Sequence, residues 1–346
     1  MNENRFISDI LSQPAALNMA LEKFDIDPLR PLNDLLSSGR INRIILTGMG
    51  ASYYGLYPAW LLLAQNKLPA IWIDTAELIH YANDLITGQT LLWIVSQSGR
   101  SAEILHLLEQ AQEKHPAMVL ATTNDLSSPL AMSGGVIQPL YAEAEMSVST
   151  RTYINTLAIT QLTALVLVGM PISEEVTGLH QSADQIAGYL QDWPERLREL
   201  KDTIGLPERL VILGRGPSLA SALSGSLILS EAARYMALGL SVPEFRHGPL
   251  EMANERLTAI VFEGVDRTAA LNRRLIEELL AYKVHAFWVS QREEFKLPGF
   301  TIPFCTEIGL PISEIILMQL LCVSLAELQN FEPGYFVHIG KVTQTE

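Results

Sequence analysis

Cysteine is scarce in this chain, since Cys305 and Cys322 are the only two among 346 residues. Two thiols cannot form the disulfide framework of a small secreted domain, and their spacing is not that of a metal site. We therefore expect both to be buried free thiols. The sequence implies no metal ion and no organic cofactor.

Positive charge is also in short supply, because 24 Lys and Arg stand against 38 Asp and Glu, for a formal net charge of −14. This excess of acid argues against nucleic acid or an anionic membrane surface as a partner. A small anionic ligand stays compatible with it, because backbone N–H groups and hydroxyls can bind a phosphate without many cations.

A secretory signal and long apolar runs are missing as well. The N-terminus MNENRFISDI does not have the pattern of a signal peptide. The run LAITQLTALVLVGM is short for a membrane span and is typical of a buried core helix. We therefore expect a soluble, cytoplasmic protein, and its 48% of hydrophobic residues allow it to bury large cores.

What the chain does contain is a repeated pattern. INRIILTGMGASYYGLYPAWLLLAQ begins at Ile41, and PERLVILGRGPSLASALSGSLILSEA begins at Pro207. Each has a short apolar run, then G-x-G-x-S, then a segment rich in Ala and Leu, which predicts strand, glycine turn and helix. Further apolar runs alternate with helical segments in both halves. This alternation predicts an α/β fold with two parallel sheets, each flanked by helices in three layers as in flavodoxin-like folds.

The repeat also predicts the domain organisation. Two α/β domains are expected at residues 35–175 and 206–330. A helical segment, residues 1–34, precedes them, and the polar stretch at residues 176–205 is expected to be a helical linker. A C-terminal tail, residues 331–346, follows.

The stretch SQSGRSAE, at residues 96–103, is the sharpest candidate for a binding site. It directly follows the apolar run LLWIV and precedes the helical pattern EILHLLEQAQEK. Three hydroxyls, on Ser96, Ser98 and Ser101, therefore crowd a helix N-terminus, where N–H donors and the helix dipole favour an anion such as phosphate. The alternative is helix capping by Ser98 or Ser101, which needs one hydroxyl and leaves the others and Gln97 unexplained.

The first glycine turn, with Gly48, Gly50 and Ser52, is a weaker indication, because many sheets use glycine only to turn the chain. It lacks the third glycine of a dinucleotide-binding fingerprint, since Tyr53 follows Ser52. A nicotinamide site is therefore excluded.

The stretch PEFRHGPLE, at residues 243–251, has a proline near each end and a glycine in the middle, which forbid a regular helix through it. Such a rigid turn would present His247, whose imidazole can exchange protons at neutral pH. The alternative is an ordinary surface loop. For each of the other six histidines, a solvated or hydrogen-bonded side chain is the default.

Glu231 is a second candidate for proton transfer. It lies in the predicted helix LSGSLILSEAARYMALG, where an acid on the apolar side would be desolvated and its pKa raised, as suits a proton carrier. The alternative is a surface glutamate that pairs with Arg234 three positions later. The residues alone do not decide between the two.

Taken together, these motifs resemble the SIS (sugar isomerase) domain family over nearly the whole chain. SQSGRS resembles the family's sugar-phosphate loop, GMGASYYGLYPA its first glycine–serine turn, SVSTRT its A-S-T-K loop, and SEAARYMALGLSVPEFRHGPLE its glutamate- and histidine-bearing element. The resemblance implies two tandem SIS domains, as in the isomerase half of glucosamine-6-phosphate synthase and its relatives. It also implies a small-molecule sugar phosphate as ligand, held by the following residues: Ser52, Ser96, Gln97, Ser98, Ser101 and Ser149.

The same resemblance implies three catalytic residues. Glu231 would carry a proton between C1 and C2 of the open-chain sugar. His247 would open the sugar ring in the partner subunit's site, within a homodimer with shared active sites. Lys341, in the tail, matches the lysine that forms a Schiff base in the synthase, and a solvated tail charge is the alternative.

Two differences from the synthase narrow the expected activity. No cysteine lies near the N-terminus, so we expect no glutamine hydrolysis. Ile228 and Ser224 occupy positions where the synthase has a lysine and a glutamate. This pattern resembles the fructosamine-6-phosphate deglycases, which release glucose 6-phosphate and an amine.

Two alternatives to the deglycase stay open. One is a phosphosugar aldose–ketose isomerase or amino-sugar 6-phosphate deaminase, which uses nearly the same steps. The other belongs to a different class and is a sugar-phosphate sensor that binds its ligand without turnover.

Overall fold

The computed structural model describes residues 4–145, 147–292, 296–338, 340 and 342–345. The strands are β1 (Arg43–Gly48), β2 (Ala70–Asp74), β3 (Thr90–Val95), β4 (Met118–Thr123), β5 (Val136–Pro139), β6 (Arg209–Gly214), β7 (Ala237–Ser241), β8 (Leu257–Phe262), β9 (His285–Ser290) and β10 (Gly299–Thr301). The helices are α1 (Arg5–Leu11), α2 (Gln13–Lys23), α3 (Arg30–Ser37), α4 (Gly50–Gly55), α5 (Tyr57–Gln65), α6 (Thr75–Tyr81), α7 (Ala102–Lys114), α8 (Pro129–Met132), α9 (Arg151–Leu167), α10 (Ser173–Gln191), α11 (Trp193–Ile204), α12 (Ser218–Ala232), α13 (Val242–Arg246), α14 (Asp266–Ala281) and α15 (Leu310–Leu328). Short 3₁₀ helices lie at Asp27–Leu29, Asn83–Leu85 and Pro249–Met252.

The described residues form two parallel sheets of five strands each. The first has the order β2-β1-β3-β4-β5 and the second the order β7-β6-β8-β9-β10. Counted from the first strand of each half, both orders are 2-1-3-4-5, which is the flavodoxin-like order. The predicted α/β fold with two helix-flanked parallel sheets is therefore confirmed, and the sequence repeat corresponds to a structural repeat.

The first sheet is buried on both faces. Successive residues of a strand point to opposite faces, so neighbours along β1 enter different cores. Ile44 and Leu46 lie in one apolar cluster with Leu63 of α5. Ile45, between them, lies in another cluster with Ile104 of α7. Burial on both faces explains why the strands of this sheet are continuous apolar runs.

The second sheet has the same construction. Val211 of β6 and Val261 of β8 share a cluster with Leu275 and Ile276 of α14. α12 packs on β6 and β7, and α15 packs on α12. The predicted linker, residues 176–205, contains most of α10 and all of α11, and α11 packs against α15.

The chain divides into two compact units. The first-sheet unit comprises Ala15–Glu145, Ser149–Thr177 and His338–Glu346. The second-sheet unit comprises Met1–Pro14, Met146–Val148 and Gly178–Val337. The domain limits expected from the sequence, residues 1–34, 35–175, 176–205, 206–330 and 331–346, stay predictions.

α15 is the core helix of the second-sheet unit. By length and composition it could cross a membrane, but 94% of its apolar window is buried inside the protein. It also carries buried polar side chains, and Gln319 exchanges hydrogen bonds of 2.6 and 3.0 Å with Gln13. Cys305 and Cys322 are buried free thiols, as predicted, and burial raises the pKa of Cys305 to about 12.

Candidate functional site

Two of the predicted loops lie side by side at one edge of the first sheet. β1 and β3 are neighbours, and Gly48 lies opposite Val95. The glycine turn with Ser52 leaves β1 at this edge, and the loop that begins with Ser96 leaves β3 beside it. The strand order reverses between β1 and β3, which is the usual ligand position in open α/β sheets.

The glycine turn is held close to β3. A Cβ atom on Gly48 would lie 2.8 Å from the carbonyl oxygen of Val95, so only glycine fits there. Ser52, in α4, is half-buried. The next residue, Tyr53, stacks on Trp72 with ring centroids 4.1 Å apart, and its carbonyl oxygen accepts a hydrogen bond of 2.8 Å from the Trp72 indole. These contacts fix the start of α4 and with it Ser52.

The serine hydroxyls of the second loop are held in different ways. Ser96 is buried, and its Oγ accepts a hydrogen bond of 3.1 Å from the N–H of Gly99. Ser98 Oγ accepts one of 3.3 Å from the N–H of Arg100. Ser101 is the N-cap residue of α7, but its side chain makes no capping hydrogen bond. Helix capping therefore does not account for the three serines.

The backbone of this loop requires one glycine and rests on the segment after β4. Gly99 has φ of +60°, and a Cβ atom there would lie 2.3 Å from Ser128 Oγ. The main-chain oxygen of Gln97 accepts hydrogen bonds from the N–H of Asn124 at 3.1 Å and the hydroxyl of Thr123 at 3.3 Å. The loop is thus a defined structure, with the side chain of Gln97 half-buried in it.

Arg100, which the sequence did not single out, connects the loop to the segment after β4 by hydrogen bonds. Its Nε donates to Asp125 Oδ2 at 2.9 Å, and its guanidinium also donates to the main-chain oxygen of Ser127 at 2.9 Å. Hydrogen bonds from the Ser127 hydroxyl and then from Arg100 hold the pKa of Asp125 below its usual range. Because these residues are far apart in sequence, no local pattern could reveal the contact.

The loop with Ser149 is organised by a buried acid that no sequence motif marked. Glu145 is 6% exposed and accepts four hydrogen bonds of 2.6 to 3.1 Å. The donors are the N–H and hydroxyl groups of Thr150 and Thr152. Ser149, half-buried, lies within this loop, directly before α9. Arg151, the expected counterpart of the family's lysine, is buried and donates to Glu143 at 3.1 Å.

The other described catalytic candidates lie in the second-sheet unit. Glu231 is half-buried and stands one residue before the end of α12. Burial, and then the charge of Glu231, raise the pKa of Cys322 on α15, so the carboxylate lies near this thiol. Arg234 lies beyond the helix with φ of 48° and donates to the main-chain oxygen of Tyr335 at 3.1 Å. The helical pairing of Glu231 with Arg234 therefore does not apply.

Ser224 and Ile228 lie on the same face of α12 as Glu231, seven and three positions before it. Each is 4% exposed. The thiol of Cys322 donates to the main-chain oxygen of Ile228 at 3.5 Å. Ser224 Oγ has no hydrogen-bond partner among the described residues. A lysine or glutamate at either position would thus be buried in the packing of α12.

His247 is exposed at the end of a short helix. α13 begins with a capping box between Ser241 and Glu244, and Pro243 stands in its first turn, where a missing N–H is tolerated. The N–H of His247 donates to the Glu244 carbonyl oxygen at 3.0 Å, and Gly248 then takes φ of +135°. As predicted, no regular helix runs through this stretch, because α13 ends before His247.

Lys341 lies outside the described residues. The loop at residues 96–101, with Ser96, Ser98 and Ser101, is called the serine loop below. The described part of the tail reaches its end, since the N–H of Ala102 donates to the main-chain oxygen of Thr343 at 3.2 Å. Ala102 is the first residue of α7. The tail therefore contacts the helix N-terminus that follows the three serines.

Comparisons with known proteins agree with this architecture. Residues 40–166 match the SIS domain. Over 99% of its length the chain is 26% identical to glutamine–fructose-6-phosphate aminotransferase (isomerizing) of Pyrococcus horikoshii, and it spans 58% of that protein. In fold it resembles the C-terminal domain of glucosamine-fructose-6-phosphate aminotransferase from Francisella tularensis, with a TM-score of 0.83, 19% identity and 94% and 97% of the two chains covered. It also resembles tagatose-6-phosphate ketose/aldose isomerase from Escherichia coli, with a TM-score of 0.76, 21% identity and 95% of both chains covered.

The matched segment contains only some of the candidate residues. Ser149 and the residues of the two neighbouring loops fall inside it, whereas Glu231 and His247 fall outside. The chain is thus homologous to the aminotransferase over the part of that protein that it spans, and the roles of the individual residues stay predictions.

Proposed function

Since residues 40–166 form a SIS domain, we propose that the protein is a fructosamine-6-phosphate deglycase. The observation that carries this proposal is the burial of Ile228 and Ser224 beside Glu231. In the synthase that the sequence resembles, these positions hold a lysine and a glutamate. Here α12 supplies neither an amine nor a second acid next to Glu231, so a substrate that brings its own nitrogen on C1 fits best.

The serine loop would bind the phosphate of this substrate. Ser98 and Ser101 offer hydroxyls beside the N-terminus of α7, where the helix dipole favours a dianion. Ser52 lies in α4, which follows β1, the strand next to β3. Such a site needs no cluster of lysines, which agrees with a chain whose net charge is −14.

The reaction would proceed by proton transfers. His247 moves a proton to the ring oxygen, which opens the ring and leaves a ketone at C2. Glu231 then takes a proton from C1. The electron pair of the C–H bond forms the C1–C2 double bond, while the π pair of the C2 carbonyl moves onto its oxygen, which takes up a proton from water. When Glu231 returns the proton to C2, the nitrogen electron pair forms a C1–N double bond. Water adds to C1, the C1–N bond breaks, and glucose 6-phosphate and a free amine result.

The exposure of His247 supports a homodimer. An imidazole that acts on the sugar must be shielded from bulk water by a further surface, yet in the single chain this residue is exposed. A partner subunit would supply that surface, as the resemblance implies. We therefore include a homodimer with shared active sites in the proposal.

An assay in heavy water tests the proposal. The purified protein is given fructosamine 6-phosphates derived from several amino acids, and separately fructose 6-phosphate and glucosamine 6-phosphate. We expect glucose 6-phosphate and amine in equal amounts from the first group, with deuterium at C2, and slow turnover of fructose 6-phosphate. Glu231→Gln should abolish turnover and retain binding, while Glu255→Gln, at an exposed position of the same unit, should behave as the wild type.

Two outcomes would replace the deglycase by another function. Fast conversion of fructose 6-phosphate without amine release from the fructosamines would identify an aldose–ketose isomerase. Tight binding of all compounds without deuterium incorporation would identify a sensor.

A further inference from the structure

The second-sheet unit has a cavity at the carboxyl-end edge of its own sheet. The two candidate loops of the first sheet lie at the equivalent edge of that sheet. The cavity has a volume of about 490 Å³ and lies beyond the carboxyl ends of β8, β9 and β10. Because the two sheets have the same strand order, β8 corresponds to β3, and the loop from Glu263 to Val265 corresponds to the serine loop. The volume is in the range of small-molecule sites.

The residues of this cavity do not suit a phosphate. Where the first sheet places three serines, the second places the acids Glu263 and Asp266. The serine of the second glycine turn, Ser218, is engaged as well, because its hydroxyl donates to Glu314 at 2.6 Å. The described residues also contain no group of His, Cys, Asp and Glu that could hold a metal ion. A ligand of this cavity is therefore expected to be neither a phosphate nor a metal ion.

Two opposite charges on the cavity wall have no partner within the described part of the chain. Asp266 is the first residue of α14, Arg292 follows β9, and both are exposed. Neither side chain forms an ion pair or hydrogen bond with another described residue, and they do not pair with each other. On the same wall, Arg267 and Glu307 do pair, at 3.2 Å. A ligand with one positive and one negative group would complement the two unpaired charges.

Part of the remaining wall is apolar, next to the polar side chains of Glu263 and Gln291. Phe304 has 63% of its surface exposed, and Cys305 and Leu310 form a buried base. These side chains would take up an aliphatic or aromatic group of the ligand.

We propose that this cavity binds a free α-amino acid with an apolar side chain. The guanidinium of Arg292 receives the carboxylate, for which its planar set of donors is suited, and Asp266 receives the ammonium group. Phe304 contacts the side chain. This site is separate from the serine loop, and its ligand does not depend on the proposed deglycase reaction.

Calorimetric titration with leucine and phenylalanine tests the proposal. Arg292→Gln and Asp266→Asn should each weaken binding by about tenfold or more, as expected for the loss of a hydrogen bond between charged groups. Arg274→Gln, at an exposed position further along α14, should bind as the wild type, and so should Ser98→Ala in the serine loop. Thermal unfolding of each variant checks that the fold is retained.

Three results would overturn the proposal. The first is the absence of any binding of either amino acid at millimolar concentration. The second is binding that neither Arg292→Gln nor Asp266→Asn weakens. The third is binding of inorganic phosphate that Arg292→Gln abolishes and Asp266→Asn strengthens, which would make the cavity an anion site. None of these results bears on the assay of fructosamine 6-phosphates.

Discussion

The hydroxyl of Ser218 donates a hydrogen bond of 2.6 Å to one carboxyl oxygen of Glu314, and Ser221 donates another of 2.6 Å to the second oxygen. Glu314 is 1% exposed, and burial raises its pKa to about 8 in spite of these two hydrogen bonds. Ser218 stands in the second glycine turn where Ser52 stands in the first. In the second-sheet unit, Glu314 thus accepts the hydrogen bond of Ser218 that an anionic ligand would otherwise accept. The two units share a fold, but the glycine turn at the carboxyl end of the first strand has different chemistry in each.

Because of Glu314, we expect the free energy of unfolding to depend on pH. Its pKa of about 8 in the folded protein exceeds the usual value of 4.5, so between these values the folded state keeps a proton that the unfolded chain releases. Stability should therefore fall as pH rises through this window, by at most about 1.4 kcal/mol per pH unit from this group, and level off above it. Urea unfolding at about pH 5.5 and about pH 7.5 measures the difference.

Glu314→Gln removes this titration and keeps the shape of the side chain. Its free energy of unfolding should vary less with pH than that of the wild type in the same window. Glu277→Gln is the control, because the side chain of Glu277 is 55% exposed on α14. An unchanged pH slope in Glu314→Gln would show that Glu314 is not the group responsible.

Gly99→Ala should weaken the binding of sugar phosphates. The positive φ costs a residue with a Cβ atom about 1–2 kcal/mol, and the Cβ would also collide with Ser128 Oγ, at 2.3 Å. The serine loop must then shift. Gly88→Ala is the matched control, since its Cβ would meet only the carbonyl oxygen of His115, at 3.8 Å. Equal affinity of both variants for glucose 6-phosphate by calorimetry would mean that the loop conformation does not matter for binding.

Ser96→Ala and Ser98→Ala should each raise KM for the sugar phosphate. Each removes a hydroxyl that can donate to a charged phosphate oxygen. Such a hydrogen bond contributes about 1.5–3 kcal/mol to binding, so its loss should raise KM roughly tenfold or more. Ser133→Ala is the control, because Ser133 is exposed and its hydroxyl donates to the main-chain oxygen of Leu130. If both variants fold and retain the wild-type KM, the serines serve the structure of the loop alone.

The candidate residues that the sequence could point to lie in contiguous stretches with a local pattern. The serine loop joins a buried strand to a helix, so its position at the end of β3 followed from local pattern alone. The parallel sheets with helices on both faces followed from the alternation of strands and helices, whereas the order of the strands came from the structure. The exposed His247 was likewise marked by the prolines and glycine around it.

The residues that the sequence could not identify act across the fold. Glu314 reaches the second glycine turn from a helix far along the chain, and Asp125 reaches Arg100 from the segment after β4. Glu145 is close in sequence to the loop it holds, but an acid that accepts backbone N–H groups leaves no distinctive pattern. The expected desolvation of Glu231 also depends on tertiary packing, and the structure leaves this side chain half-buried.

Glu145→Ala should destabilise the loop that carries Ser149. It leaves the donors of Thr150 and Thr152 without their acceptor. Each buried donor without a partner lowers the free energy of unfolding by about 1–3 kcal/mol. Glu145→Gln keeps one acceptor oxygen and should recover most of the loss. Glu143→Ala is the control, because Glu143 is 73% exposed and, within the described part of the chain, pairs with Arg151 alone.

Urea unfolding and KM are measured together for these three variants. A positioning role requires that KM rises in Glu145→Ala and returns towards the wild-type value in Glu145→Gln. A loss of stability without any change in KM would limit Glu145 to a structural role.

Mixing two inactive variants tests the shared active site. If the proposed function holds, Glu231→Gln lacks the proton carrier and His247→Ala lacks the ring-opening group, so each homodimer should be inactive. If His247 acts in the partner's site, a heterodimer of the two has one site with both mutations and one site with neither. Random exchange makes half of the dimers heterodimers, and each has one intact site of two, so about a quarter of the wild-type activity should return. Mass spectrometry of differently tagged chains confirms the exchange, and a double variant mixed with the wild type is the control. No recovery in exchanged mixtures would place Glu231 and His247 in the site of one and the same chain.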